Sequence, residues 1–184
     1  MKVAMHLPNS DGNATRFRRA RSPRTGLSAQ VEMGVGATAV HGLGVHQTIH
    51  QSIGVGWFVS PRLLLLISDS RHQLDGGLDT LDTQLSMLSA QYWFTGAFSL
   101  RLGAGSYDLS AYLPENPLSP TLDDFAFAEG WGGAATLVGD LGRFAPLTSS
   151  VFLEVAGARA TKRYLSSHKL HMGSISFGFG VSWY

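Results

Sequence analysis

The chain contains no cysteine in its 184 residues, so a disulfide framework and a thiolate metal centre are both excluded. Long apolar runs are missing too. The longest, LLLLI at Leu63 to Ile67, falls far short of the roughly 18 residues that a membrane-spanning helix needs. The opening stretch, MKVAMHLPNSDGNATRFRRARSPR, carries a lysine near its start but no apolar segment of about 7 to 15 residues before a small-residue cleavage site. No secretory leader is legible there, which counts against export and leads us to expect a misplaced or truncated start, or a removed leader. Charge is scarce at 15%, and the net charge of +1 hides an asymmetry. Lys2, Arg16, Arg18, Arg19, Arg21 and Arg24 precede Gly26 and only Asp11 opposes them, so the tail is +5 and the remainder −4.

What the chain has in quantity is glycine (22) and phenylalanine (10), a composition suited to strands of small and aromatic residues rather than to helices. The length fits a single domain, and we place a basic, disordered tail at 1–25 and one β-domain at 26–184. The run RFRRARSPR could bind nucleic acid or anionic lipid, but a disordered tail explains it more simply, and no nucleic-acid partner is expected.

From Gly26 onward, eight alternating stretches recur. In LSAQVEMGVGATAV, Leu27, Val31 and Val35 share one face and Ser28, Gln30 and Glu32 the other, as period-two strands require. HQSIGVGWFV, QLSMLSAQYWF, FSLRLGAGSYDL, SSVFLEVAGARA and SISFGFGVSWY repeat the pattern; FAFAEGWGGAATLVG is less regular, and LLLLISDSR is ambiguous in phase because both faces begin with leucine. The breaks run alternately long and short: long near 43–50, 72–82, 110–124 and 163–170, short near 60–62, 95–97 and 140–146. That rhythm predicts an all-β, eight-stranded antiparallel up-and-down barrel.

Orientation follows from room. An eight-stranded interior admits Gly, Ser, Ala, Thr and a few long polar chains, whereas the bulky residues of every strand would overfill it. Val31, Val35, Val55, Leu100, Val151, Leu153, Phe177 and Phe179 are therefore expected to face outward, and a band that size requires lipid around it. Glu32, Arg101 and Glu154, with Gln30 and Gln91, fall on the small-residue face and are expected to form a paired polar network in the lumen. Aromatics at strand ends, Trp57, Tyr92, Trp183 and Tyr184, together with Phe58, Trp93, Phe94 and Tyr107, match interfacial girdles.

With eight such strands and an aromatic-ended last strand, residues 27–184 resemble the small bacterial outer-membrane β-barrels, of the kind that includes the OmpX, OmpW, opacity-protein and OmpA-barrel families. The likeness is one of pattern, and it departs by one place, since Trp183 rather than the terminal Tyr184 is in phase with Val181 and Phe179. The resemblance implies a bacterial outer-membrane location, membrane lipid and the barrel-assembly machinery as partners, short turns in the periplasm and long loops outside. It also implies an envelope-structural or surface-interaction role without catalysis.

Other chemistry is weaker. His41, His46, His50, His72, His168 and His171 fall in or beside the long breaks, but no pair has a firm ligand spacing, so neither a metal site nor a cofactor is expected. Ser68, Asp69 and Ser70 with His72 invite a hydrolase reading, such as a lipid A-modifying enzyme, yet the G-x-S-x-G elbow is absent. A soluble lipocalin-like carrier is the remaining alternative. The glycine pairs lack the lysine and helix of a phosphate loop.

Overall fold

A computed structural model describes residues 24–42, 44–76, 79–112, 125–144, 146–162 and 169–184. Among them there are eight strands: β1 (Gly26–Val40), β2 (Gly44–Ser60), β3 (Leu63–Gly76), β4 (Asp79–Trp93), β5 (Phe98–Tyr112), β6 (Phe125–Phe144), β7 (Leu147–Lys162) and β8 (Lys169–Trp183). Each pairs antiparallel with its sequence neighbours, and β8 pairs with β1, closing the barrel. No helix in the described residues is long and apolar enough to cross a membrane.

The stagger can be read from the register. One hydrogen-bonded row runs from Gln30 through Gly54, Ser68, Met87, Gly105, Gly132, Ala158 and Met172 and returns to β1 at Val40, ten residues higher. Eight strands with that shear tilt by about 40° and leave an interior just wide enough for side chains. At the closing seam the paired glycines Gly34 and Gly178 let the backbones approach: a Cβ on Gly34 would lie 2.2 Å from the Phe177 carbonyl oxygen. A side chain has no room at either of those two positions.

The strands run longer than their sequence signal. VHQTIH and much of HQLDGGLDTLDT, expected as loops, belong to β2, β3 and β4, and the connection after β1 shrinks to residues 41–43, where Gly42 takes a left-handed φ of +84°. The polar composition misled because a strand that rises beyond the hydrocarbon, which needs only about 9 to 11 residues, has no reason to be greasy on its outer face. Of the four long loops expected, the stretches 113–124 and 163–168 lie outside the described residues.

The outer surface carries an apolar belt. On β7, β8 and β1 it is tall: Val151, Leu153 and Val155, Ile175, Phe177, Phe179 and Val181, and Val31, Met33 and Val35 are all exposed. Trp57, Tyr92, Phe94, Phe98 and Trp183 border it near the short turns. On β3 and β4 the belt stops sooner. Above Leu65, Ile67 and Leu88 the outward residues become Asp69, Arg71, Asp82, Gln84 and Ser86, tied together by an Arg71–Asp82 ion pair and by Gln84 and Ser86 donating to Asp69 at 2.6 and 2.8 Å.

Candidate functional site

The interior is where the chain concentrates its unusual chemistry, and it divides into three levels. At the lower end, beside the short turns, Phe58, Leu64, Leu66 and Trp93 pack together with Tyr184. The Phe58, Trp93 and Tyr184 rings meet at centroid distances of 5.4 to 6.1 Å, and the Arg24 guanidinium lies over the Trp93 ring at 4.5 Å while bonding Asp140 at 2.8 Å. At the upper end Val40, Leu81, Leu85, Tyr107, Leu109, Leu170 and Met172 form a second apolar cluster.

Two expectations are corrected here. Large residues do not all point outward: Phe58, Trp93 and Tyr107 fill the lumen instead of joining a girdle, as do Leu64, Leu66, Leu81 and Leu85. Tyr184, one place after Trp183, continues the alternation onto the inner face and packs on Phe58 and Trp93, while Trp183 stays on the outer surface. The space comes from the glycines and serines opposite, which let one bulky chain reach across the axis without overfilling a layer. The ambiguous β3 also resolves: Leu64 and Leu66 face in, Leu65 and Ile67 face out.

Between the plugs lies the polar network. The register places Glu32 on β1, Arg101 on β5, Thr136 on β6 and Glu154 on β7 facing the axis, with Arg101 and Glu154 3% and 1% exposed. Arg101 forks onto Glu32 with contacts of 3.0 and 2.5 Å, and also donates to Gln30 Oε1 at 3.0 Å and Thr136 Oγ1 at 3.2 Å. Its distance to Glu154 Oε2 is 3.6 Å. Thr136 and Ser70 donate to the two oxygens of Glu154 at 2.9 and 3.2 Å. Gln30 continues the chain to Gln91 at 2.9 Å, and Gln91 to Ser99 at 2.8 Å. A guanidinium that meets a carboxylate in this bidentate manner and donates further to Gln30 and Thr136 approaches the condition under which buried charge is tolerated. Glu32, Arg101, Glu154, Gln30 and Gln91 are thus brought together. Gly180 makes room for them, its missing Cβ lying 3.0 Å from Glu32 Cγ.

Two residues join this level that sequence reasoning had placed in or beside the long breaks. His50 and His72 face each other across β2 and β3, buried, with His50 Nδ1 3.1 Å from His72 Nε2 and 3.7 Å from Glu154 Oε1. They are 22 positions apart, and only the register of the two strands reveals the pair. The hydrolase grouping, by contrast, is split by the pleat: Ser68, Ser70 and His72 face in, whereas Asp69 faces out and bonds Gln84 and Ser86. Ser68 contacts Ser89 at 3.0 Å and Ser70 is turned to Glu154. Val31, Val35, Val55, Leu100, Val151, Leu153, Phe177 and Phe179 all lie exposed on the outside, as do Trp57 and Tyr92.

No known protein family matches the chain by sequence, and no curated protein is similar to it. By fold the outcome is different. The structure is similar to Neisserial surface protein A, with a TM-score of 0.57 at 15% identity over 86% of this chain and 97% of that one. It is also similar to Ail, the attachment invasion locus protein of Yersinia pestis, with a TM-score of 0.53 at 10% identity over 87% of this chain and 100% of the other. The fold is that of the small outer-membrane β-barrels. A closed antiparallel wall with a lipid-ready exterior is what this chain shares with them.

Proposed function

We propose that the protein is a non-enzymatic barrel of the bacterial outer membrane, folded there by the barrel-assembly machinery, whose role is structural or one of surface interaction through its external rim. The observation that carries this reading is the filled lumen. Among the described residues, two apolar plugs and a hydrogen-bonded polar layer between them occupy the axis. The outer belt supports the membrane part: Phe177 and Phe179 are 61% and 70% exposed, and such a surface is stable only in hydrocarbon. That belt also opposes a lipocalin-like carrier, which keeps its large apolar side chains inside.

The strands also carry the wall beyond the bilayer, so the rim presents Gln73, Asp82, Gln84, Asp108, Glu129 and Arg159 on rigid β-structure. The purified barrel, refolded into detergent and added to planar bilayers, is expected to give no stable large conductance while showing a heat-modifiable gel shift. Reproducible large pores from the folded form would overturn the reading, as would failure to partition with membranes when the chain is supplied with a leader.

A further inference from the structure

We propose that His50, His72 and Glu154 form a binding site for one transition-metal ion of the Zn(II) or Cu(II) class inside the barrel. The donor atoms converge: His50 Nδ1 lies 3.1 Å from His72 Nε2 and 3.7 Å from Glu154 Oε1, and one donor atom from each of the three residues lies within 4.8 Å of the other two, on three strands and shielded from solvent. Two metal–nitrogen bonds of about 2.0 to 2.1 Å at a tetrahedral angle set the nitrogens roughly 3.4 Å apart. The 3.1 Å between the rings therefore needs only a slight opening, and the 3.7 Å to Glu154 a slight closing, which rotation of the carboxylate provides. Two imidazoles and one carboxylate suit zinc or copper rather than magnesium or calcium, and they leave a fourth position for water or an outside ligand.

A second, independent observation points to a cation. Among the described residues the buried carboxylates are Glu32 and Glu154 and the buried guanidinium is Arg101 alone. One guanidinium thus faces two carboxylates, and because its fork is on Glu32, with Glu154 at 3.6 Å, Glu154 is the less fully paired of the two. The two oxygens of Glu154 divide the work. Oε2 accepts from Thr136 and faces Arg101, while Oε1 faces the histidines and is steadied by Ser70, an orienting contact of the kind that surrounds metal ligands. The outer nitrogens, His50 Nε2 and His72 Nδ1, have no hydrogen-bond partner, so metal on the inner pair would fix both tautomers with the protons outside. The plugs above and below imply that the ion enters before the barrel closes and leaves slowly.

The test is to refold the full chain into detergent with Cu(II) or Zn(II), remove free metal with a chelator, and measure metal per folded barrel. A chain in which His6, His41, His46, His168 and His171 are replaced by glutamine retains the two buried histidines alone, and it is expected to keep about one ion and give a two-nitrogen Cu(II) paramagnetic resonance signal. His50→Gln or His72→Gln in that background is expected to lower retained metal at least about tenfold. The gel shift identifies the variants that fold. If His72→Gln does not fold, the two-nitrogen signal of the parent decides alone. No metal in the folded parent, or equal retention after His50→Gln and His72→Gln, overturns the proposal.

Discussion

At the level of Arg101 the side chains of the interior meet through hydrogen bonds directed from strand to strand, whereas around Trp93 below it and Leu81 above it they meet mainly by apolar contact. The wall is the same in all three places, with the same stagger and tilt. The difference lies in how each level fails. An apolar plug degrades gradually, because each lost methylene costs a bounded amount of packing. In the polar layer Glu32, Arg101, Thr136 and Glu154 share donors and acceptors, and losing one member exposes its partners to an interior that cannot solvate them.

Three substitutions would break or sharpen that contrast, each read as a shift in urea unfolding of the barrel in lipid vesicles. Arg101→Leu strands Glu32 and Glu154, and we expect a loss of about 3 to 5 kcal/mol, with partial recovery when Glu32→Gln is added. A loss under 1 kcal/mol would mean that water reaches the layer. Leu81→Ala, in the upper plug, is expected to cost about 2 to 5 kcal/mol according to how far Leu109 and Leu170 collapse into the space, with the polar layer unaffected. Gln91→Leu removes the bridge between Gln30 and Ser99 and is expected to cost about 1 to 3 kcal/mol. If it cost nothing, the chain of amides would be incidental to the layer.

The contrast also explains what the sequence could convey. Alternation assigns each residue to a face, so Glu32, Arg101 and Glu154 were legible as lumen residues and Val151, Leu153, Phe177 and Phe179 as outer ones. Alternation says nothing of height along the axis. Alternation sets Trp93 on the face of Gln91 and Phe58 opposite Trp57, inward as observed; it was their place at the strand ends that suggested a girdle, and the leucines on both faces of β3 left that strand without a readable phase. Strand length was hidden for a related reason: above the hydrocarbon the outward residues are as polar as loop residues, and VHQTIH reads as a break. The meeting of His50 with His72 depends on register, which is set by where each turn falls and has no local signature.

The unequal height of the outer belt has a consequence for how the barrel sits. Phe177 and Ile175 on one flank need hydrocarbon at a level where Asp69, Arg71 and Gln84 on the other need water or headgroups. A rigid cylinder meets both demands by leaning, or by drawing the leaflet down beside β3 and β4, at a cost of fractions of a kcal/mol per ångström. The molecule would then have a compass direction in the plane of the membrane, and neighbouring lipids would feel a dent on one side of it only.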